Sequence, residues 1–312
     1  MSVDGLFADA QQFPDDAAQR RFDQLVGIDD VKRALVGEAQ ALLDPSVVVR
    51  WSQHAHKTVI PAVDDVMDRT ALVILAGDVG SGKTELAESA GDPIARSLGV
   101  KVTLFPLSLS ARGHGAVGEM TTLLTRAFDT VREQAHGGRS RDGGLRHGTI
   151  LLVDEADALA QSRELAQMHH EDRAGVNALI RGVDGLRRDR LPVRTIMCTN
   201  RVDAIDPAVR RRAAAILTFS RPDDSAREEL LRRSFRGVQF ADADIKEVVR
   251  LTGAQDGRGY GCTYSDLRQR FVPTAVLGAV DDSAPITGER LIKLARDFVP
   301  TRPFDAELTG RA

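Results

Sequence analysis

Aromatic side chains make up only 4% of this 312-residue chain, and one Trp and two Tyr cannot furnish the stacking platforms that single-stranded nucleic acids need. Cysteine is nearly absent too. Cys198 lies in the apolar-flanked run TIMCTN and Cys262 in a glycine-rich turn, a spacing that makes neither a zinc site nor a disulfide framework. Both thiols are therefore read as reduced. Charge of one sign is missing as well: 42 basic residues against 45 acidic ones leave a net −3, so no global basic field draws in nucleic acid or an anionic membrane. Nucleic acid is not an expected partner. No apolar run reaches the roughly 18 residues that would suggest a membrane span, and the opening MSVDGLFADAQQFPDD is acidic and polar, unlike a signal peptide. A cytoplasmic location without membrane contact is expected.

What the chain has is enough apolar content, 42%, for one large core and a smaller one, together with one strongly informative segment. Residues 72–84, LVILAGDVGSGKT, read as a buried strand running into a phosphate-binding loop and the first turn of a helix. Nucleoside triphosphate, ATP, is the expected ligand. Gly77, Gly80 and Gly82 allow a tight turn, so that the backbone of Asp78, Val79, Gly80, Ser81 and Gly82 aims N–H groups at the phosphates. Lys83 reaches the β and γ oxygens, and Thr84 offers a hydroxyl to magnesium. The apolar residues before the loop and the helix-forming TELAES after it supply the context that the motif requires.

A second element of the same chemistry follows in GTILLVDEADAL, where the strand Ile150 to Val153 ends in Asp154 and Glu155. A strand apolar at successive positions belongs inside a parallel sheet, and ligands collect at the carboxyl ends of such strands. Asp154 is expected to hold Mg²⁺ through water, with Glu155 orienting the water that attacks the γ-phosphate.

These residues together resemble the AAA+ ATPases, over roughly Phe22 to Val299. The resemblance implies an α/β fold: a three-layer P-loop domain built on a parallel sheet, then a small all-helical lid. By that likeness residues 1–20 are a short N-terminal extension, too short to recognise a client independently, 21–221 the large nucleotide-binding domain and 222–312 the lid. RFDQLVGIDDVKRAL is similar to the family's linker, which implies adenine contacts at Gly27 and Ile28. Asn200, ending the strand RTIMCTN, matches the polar sensor that helps place the attacking water. Three consecutive arginines follow in IDPAVRRRAA. A guanidinium reaching across a subunit interface neutralises charge growing on the γ-phosphate.

Where most relatives carry an aromatic after the paired arginines, this chain has Ala213. That step, and the helix DRAGVNALIRGVDG at 172–185, resemble the pachytene checkpoint protein subfamily, remodellers of HORMA-domain proteins. The likeness of the Arg212–Ala213 step implies Arg212 as the first candidate for the guanidinium that crosses the interface, Arg211 as the second, and Arg210 as structural. It implies that Asp184 faces a neighbour's arginines. It implies a homohexamer that engages a HORMA-domain client in its pore, like the regulatory ATPases of bacterial CBASS antiviral defence. The first pore loop aligns in SARGHGAVGEMTTLL, with Ala116 and Val117 where unfoldases place an aromatic and its neighbour, Gly118 after them, and His114 nearby as a wedge against an extended peptide. The second falls near MHHEDRAG, read as a solvated polar loop.

After Pro222, four stretches carry apolar residues at three- and four-residue spacing, the pattern of four helices. Ser265 occupies the slot where some relatives place a second sensing arginine, and Arg268, nearly one turn on, is read either as that sensor or as a surface cation. GGRSRDGGLRHG at 137–148 reads as a mobile surface loop, whose Arg139, Arg141, Arg146 and His147 leave weak polyanion binding open. Two other readings stay open: a DNA-linked AAA+ motor or helicase loader, and a small-molecule kinase with the same phosphate loop.

Overall fold

The computed structural model describes residues 7–108, 119–156 and 169–303. The chain divides into two compact units, one made of residues up to 24, 30–76 and 83–218, the other of 25–29, 77–82 and 219 onward. The phosphate loop and the segment around Gly27 thus cluster with the helical C-terminal part.

The first unit is built on a six-stranded sheet of β1 (Gln11–Phe13), β2 (Leu72–Gly77), β3 (Lys101–Ser108), β4 (His147–Asp154), β5 (Val193–Thr199) and β6 (Ala213–Phe219). Their order is β1-β3-β4-β5-β2-β6; the β3–β4, β4–β5 and β5–β2 pairings are parallel and the short edge strand β1 is antiparallel to β3. Residues 72–76 of β2 and the whole of β5 are buried, as expected for central strands covered on both faces.

Alternation sends Ile74, Leu107, Leu151, Val153 and Met197 to one face, where they form a core with Leu124, Phe128 and Val131 of α7 (Glu119–Ala135) and Leu179 and Val183 of α8 (His169–Arg188). On the other face lie α5 (Lys83–Ser89), packed on β4 and β5, and α6 (Gly91–Leu98), packed on β3, with Leu43 of α2 (Asp29–Leu43) against Gly148. This is the expected three-layer arrangement. α1 (Asp16–Gln24) lies on α5 and α6; α3 (Ser46–His56), α4 (Ala62–Met67) and α9 (Pro207–Arg210) complete the unit.

The buried side chain of Arg194 in β5 donates to the carbonyls of Thr70 (3.2 Å) and Glu38, and burial lowers its pKa to about 10. It ties α2 to the sheet.

The second unit contains the four expected helical stretches: α10 (Asp224–Ser234), α11 (Asp242–Thr252), a π-helical turn at Asp266–Phe271 continuing into α12 (Val272–Asp281), and α13 (Gly288–Asp297). Asp223 and Thr287 cap α10 and α13 by accepting backbone N–H bonds from Ala226 and Arg290. Thr263 and Asp266 form a reciprocal capping box at the π-helical turn, each side chain accepting the other's backbone N–H at 3.0 Å.

Two local expectations change. Residues 137–148, expected as a surface loop, form a hydrogen-bonded turn leading into β4: Ser140 N–H donates to Gly144 O at 2.8 Å, and Arg139 Nη2 reaches the carbonyl of Leu43 at 3.0 Å. Carbonyls at a helix end attract a guanidinium, so the cation the composition set out for polyanions is used internally. His169 to Asp172 open helix α8 rather than a polar loop.

Candidate nucleotide site

In the first unit the catalytic candidates converge at strand ends and at the start of α5. Lys83 is buried, and its Nζ donates to Asn200 Oδ1 at 2.8 Å across 117 residues of sequence. That bond fixes the amide's orientation, because Lys has only donors: Asn200 turns its oxygen to Lys83 and keeps its NH₂ for an acceptor. Thr84 Oγ1 donates to Asp154 Oδ1 at 3.3 Å, and the same oxygen accepts the backbone N–H of Glu155 at 2.8 Å. Burial raises the Asp154 pKa, outweighing those two bonds, which act to lower it.

Glu155 has φ +54°, a left-handed conformation that a side-chain-bearing residue rarely adopts. Strain of this sort concentrates at functional positions, and here it accompanies an exposed carboxylate immediately after a central strand.

The arginines occupy a different part of the same unit. Asp206 caps α9 by accepting the Ala208 N–H at 2.7 Å, and the chain then presents Arg210, Arg211 and Arg212 in succession. Arg212 Nε donates to both oxygens of Asp184 at 3.1 Å, and its Nη1 to Ala208 O at 3.1 Å. Asp184 therefore holds an arginine of its own chain, because α8 and α9 pack together. Arg211 is exposed, and both arginines line a cleft of about 690 Å³ shared with Asp184, Arg187, Arg188 and Arg190. Arg210 lies 3.8 Å from Asp203.

In the second unit the phosphate loop carries Gly80 at φ +72°, where a Cβ would come 2.8 Å from Ser265 Cβ and 2.9 Å from Thr263 Oγ1. Only glycine fits this turn. Ser265 N–H donates to Gly80 O at 3.0 Å, so the residue in the second-sensor slot touches the loop itself. Arg268 is exposed on the π-helical turn. Ser81 is buried, Val79 exposed, and Gly82 has φ +97°.

Gly27, at φ +68°, sits so close to Ala226 and Tyr264 that a Cβ would lie 2.5 Å from Ala226 Cβ and 2.7 Å from the Tyr264 hydroxyl. Ile28 beside it is buried. His114, Ala116, Val117 and Gly118 lie outside the described residues.

Residues 73–221 match the family described as ATPase family associated with various cellular activities, AAA. Along 97% of both chains the sequence is 48% identical to CD-NTase-associated protein 6 of Escherichia coli strain MS 115-1. The chain belongs to the AAA ATPase family. A chain in the solved E. coli MS115-1 HORMA:CdnC:Trip13 complex is 46% identical, with a TM-score of 0.89 over 97% of this chain and 99% of that one. Rhizobiales Trip13 is 39% identical, with a TM-score of 0.75 over 95% and 100%. This AAA ATPase thus binds and hydrolyses nucleotide, and among its described residues no helix is long and apolar enough to cross a membrane.

Nothing in the local pattern singles out Arg221 among 42 basic residues, yet this side chain contacts the phosphate loop through Asp78. Its only local signal is position, immediately before the Pro222 that opens the helical region.

Proposed function

We propose that this ATPase assembles as a homohexamer in the cytoplasm and uses ATP to open a HORMA-domain protein, as a regulator of CBASS antiviral defence. The observation that carries this reading is full-length similarity, at 46% identity and TM-score 0.89, to a chain solved within a HORMA:CdnC:Trip13 complex. In this reading residues 21–221 form the nucleotide-binding domain and 222–312 the lid.

Lys83 binds the β and γ oxygens, the loop N–H groups of residues 78–82 cradle the phosphates, and Gly27 and Ile28 border the adenine. Asn200, whose oxygen accepts from Lys83, positions the attacking water that Glu155 polarises. The Asp154 carboxylate and Thr84 hydroxyl are hard oxygen donors suited to Mg²⁺, with Asp154 acting through water. The ion supplies charge neutralisation on the phosphates.

Arg212, oriented by Asp184, and the exposed Arg211 act on the nucleotide of a neighbouring subunit. Arg268 serves as a second sensor from the lid. His114, Ala116, Val117 and Gly118 grip the client, without the aromatic side chain usual in unfoldases.

The purified protein mixed with candidate HORMA-domain proteins tests the reading. At least one should raise ATP turnover and co-elute with the Glu155→Gln variant in ATP; stimulation or capture by none of them removes the client assignment. Hydrolysis lost in Arg211→Ala or Arg212→Ala and regained on mixing with Glu155→Gln subunits is the expected mark of a shared site. Tight binding to DNA that weakens steeply with salt, by a log–log slope of roughly −0.7 to −0.9 per phosphate contacted, would instead favour a DNA-linked motor.

A further inference from the structure

An acidic residue in a phosphate-binding loop is electrostatically out of place. Loop N–H groups form an anion-binding concavity, and a neighbouring carboxylate both repels phosphate and competes for those donors. Asp78 already accepts one of them, the Val79 N–H, on Oδ1 at 2.8 Å.

Its other oxygen is fully engaged elsewhere. Arg221 Nε and Nη2 both donate to Asp78 Oδ2, at 2.9 and 2.5 Å. The third guanidinium nitrogen, Nη1, donates to Gly261 O at 2.6 Å and Thr301 O at 2.8 Å, while the guanidinium carbon lies 5.0 Å from the centre of the Tyr260 ring. The two side chains are only 14% and 17% exposed, so solvent screens the pair weakly. Such a guanidinium, with each nitrogen committed and one face stacked, is fixed in orientation.

We infer that Arg221 is a positioning residue for ATP binding: it neutralises Asp78 and draws the carboxylate's Oδ2 away from the loop N–H groups that receive the phosphates. Because the same guanidinium holds the carbonyls of Gly261 and Thr301, the charge state of the loop is tied to the segment preceding the π-helical turn and to the tail after α13. Asp78 without Arg221 acts as an internal competitor of phosphate. The inference rests on the phosphate loop being the nucleotide site.

Steady-state ATPase kinetics and equilibrium titration with a fluorescent ADP analogue test it in the full-length chain. Arg221→Ala should raise the KM for ATP and the analogue's Kd roughly tenfold, the scale of one uncompensated charge near the phosphates, with a much smaller change in kcat. Arg221→Ala combined with Asp78→Asn should recover most of that loss, and Arg221→Lys should fall between wild type and Arg221→Ala. Asp78→Asn alone should lower KM.

A role limited to fastening Gly261 and Thr301 would not be rescued at Asp78, so a double variant no better than Arg221→Ala overturns the inference. If Arg221→Ala does not fold, Asp78→Asn and Arg221→Lys still decide: an unchanged KM in both overturns it. Nucleotide binding undiminished in Lys83→Ala would remove the site itself, a failure distinct from that of Arg221.

Discussion

The two units hold their functional groups by different physics. In the first, Lys83, Asp154 and Asn200 stand at the ends of buried apolar strands or at a helix start against them, and the sheet fixes their positions. In the second, the phosphate loop is held by polar ties: Arg221 to Asp78, and Ser265 N–H to Gly80 O. Burial makes the first arrangement rigid, whereas a few hydrogen bonds and one ion pair are suited to being remade during a reaction cycle. In the proposed function, the difference separates groups assigned to the chemistry from groups assigned to holding the nucleotide.

The sharpest way to separate the two is to remove Lys83. Lys83→Ala should lower ATP turnover by on the order of 10³-fold, while circular dichroism and denaturant midpoints remain close to wild type. A large loss of stability instead would mean that the Lys83–Asn200 bond is structural. Glu155→Gln should cost about 10² to 10³ in kcat and leave binding of a fluorescent ADP analogue nearly intact, a split readable by single-turnover kinetics.

The second unit is tested by stability rather than rate. Asp266 is buried, and burial alone would push its carboxyl up, but bonds from Thr263 N–H, the Thr301 backbone and hydroxyl, and Arg270 hold its pKa below the ordinary value. A carboxylate with a depressed folded pKa stabilises the fold above its unfolded pKa, and that contribution is lost as pH falls through the folded pKa. Asp266→Asn should therefore cost about 3 kcal/mol in urea unfolding at neutral pH, a deficit shrinking as acid protonates the wild-type carboxylate. Gly27→Ala should destabilise by about 2 kcal/mol, from φ strain and the clash with Ala226 and Tyr264.

The smallest expected effect probes both units at once. Cys198 in β5 and Cys262 are fully buried, and burial pushes the Cys262 thiol up to about 12. Neither should react with iodoacetamide at pH 8 in the native state, and peptide mass mapping would detect any that does.

Much of this was legible from the chain alone. The loop at 77–84, the acid pair after Val153 and Asn200 after its strand are local patterns, and the apolar runs beside them specify a buried sheet. The four lid helices declared themselves by periodicity. Composition was incomplete at 137–148, where it marked a surface loop but not that Arg139 meets the carbonyl of Leu43, 96 residues away. The polar segment at 169–172 misled, since its side chains gave no apolar stripe to mark a helix start.

Sequence by itself determined the ligand class, the order of the chemical parts and the helical character of the C-terminal region, because turn chemistry, strand burial and helix period are encoded over a few neighbouring residues. Tertiary structure alone decided the partners of Arg212 and Arg221. Arg212 goes to Asp184 across 28 residues and Arg221 to Asp78 across 143, pairings that exist only where folded elements bring a guanidinium within reach of a carboxylate. Helical spacing chooses a partner only three or four residues away; a long flexible cation whose carboxylate lies further off has its role set by what the fold places beside it.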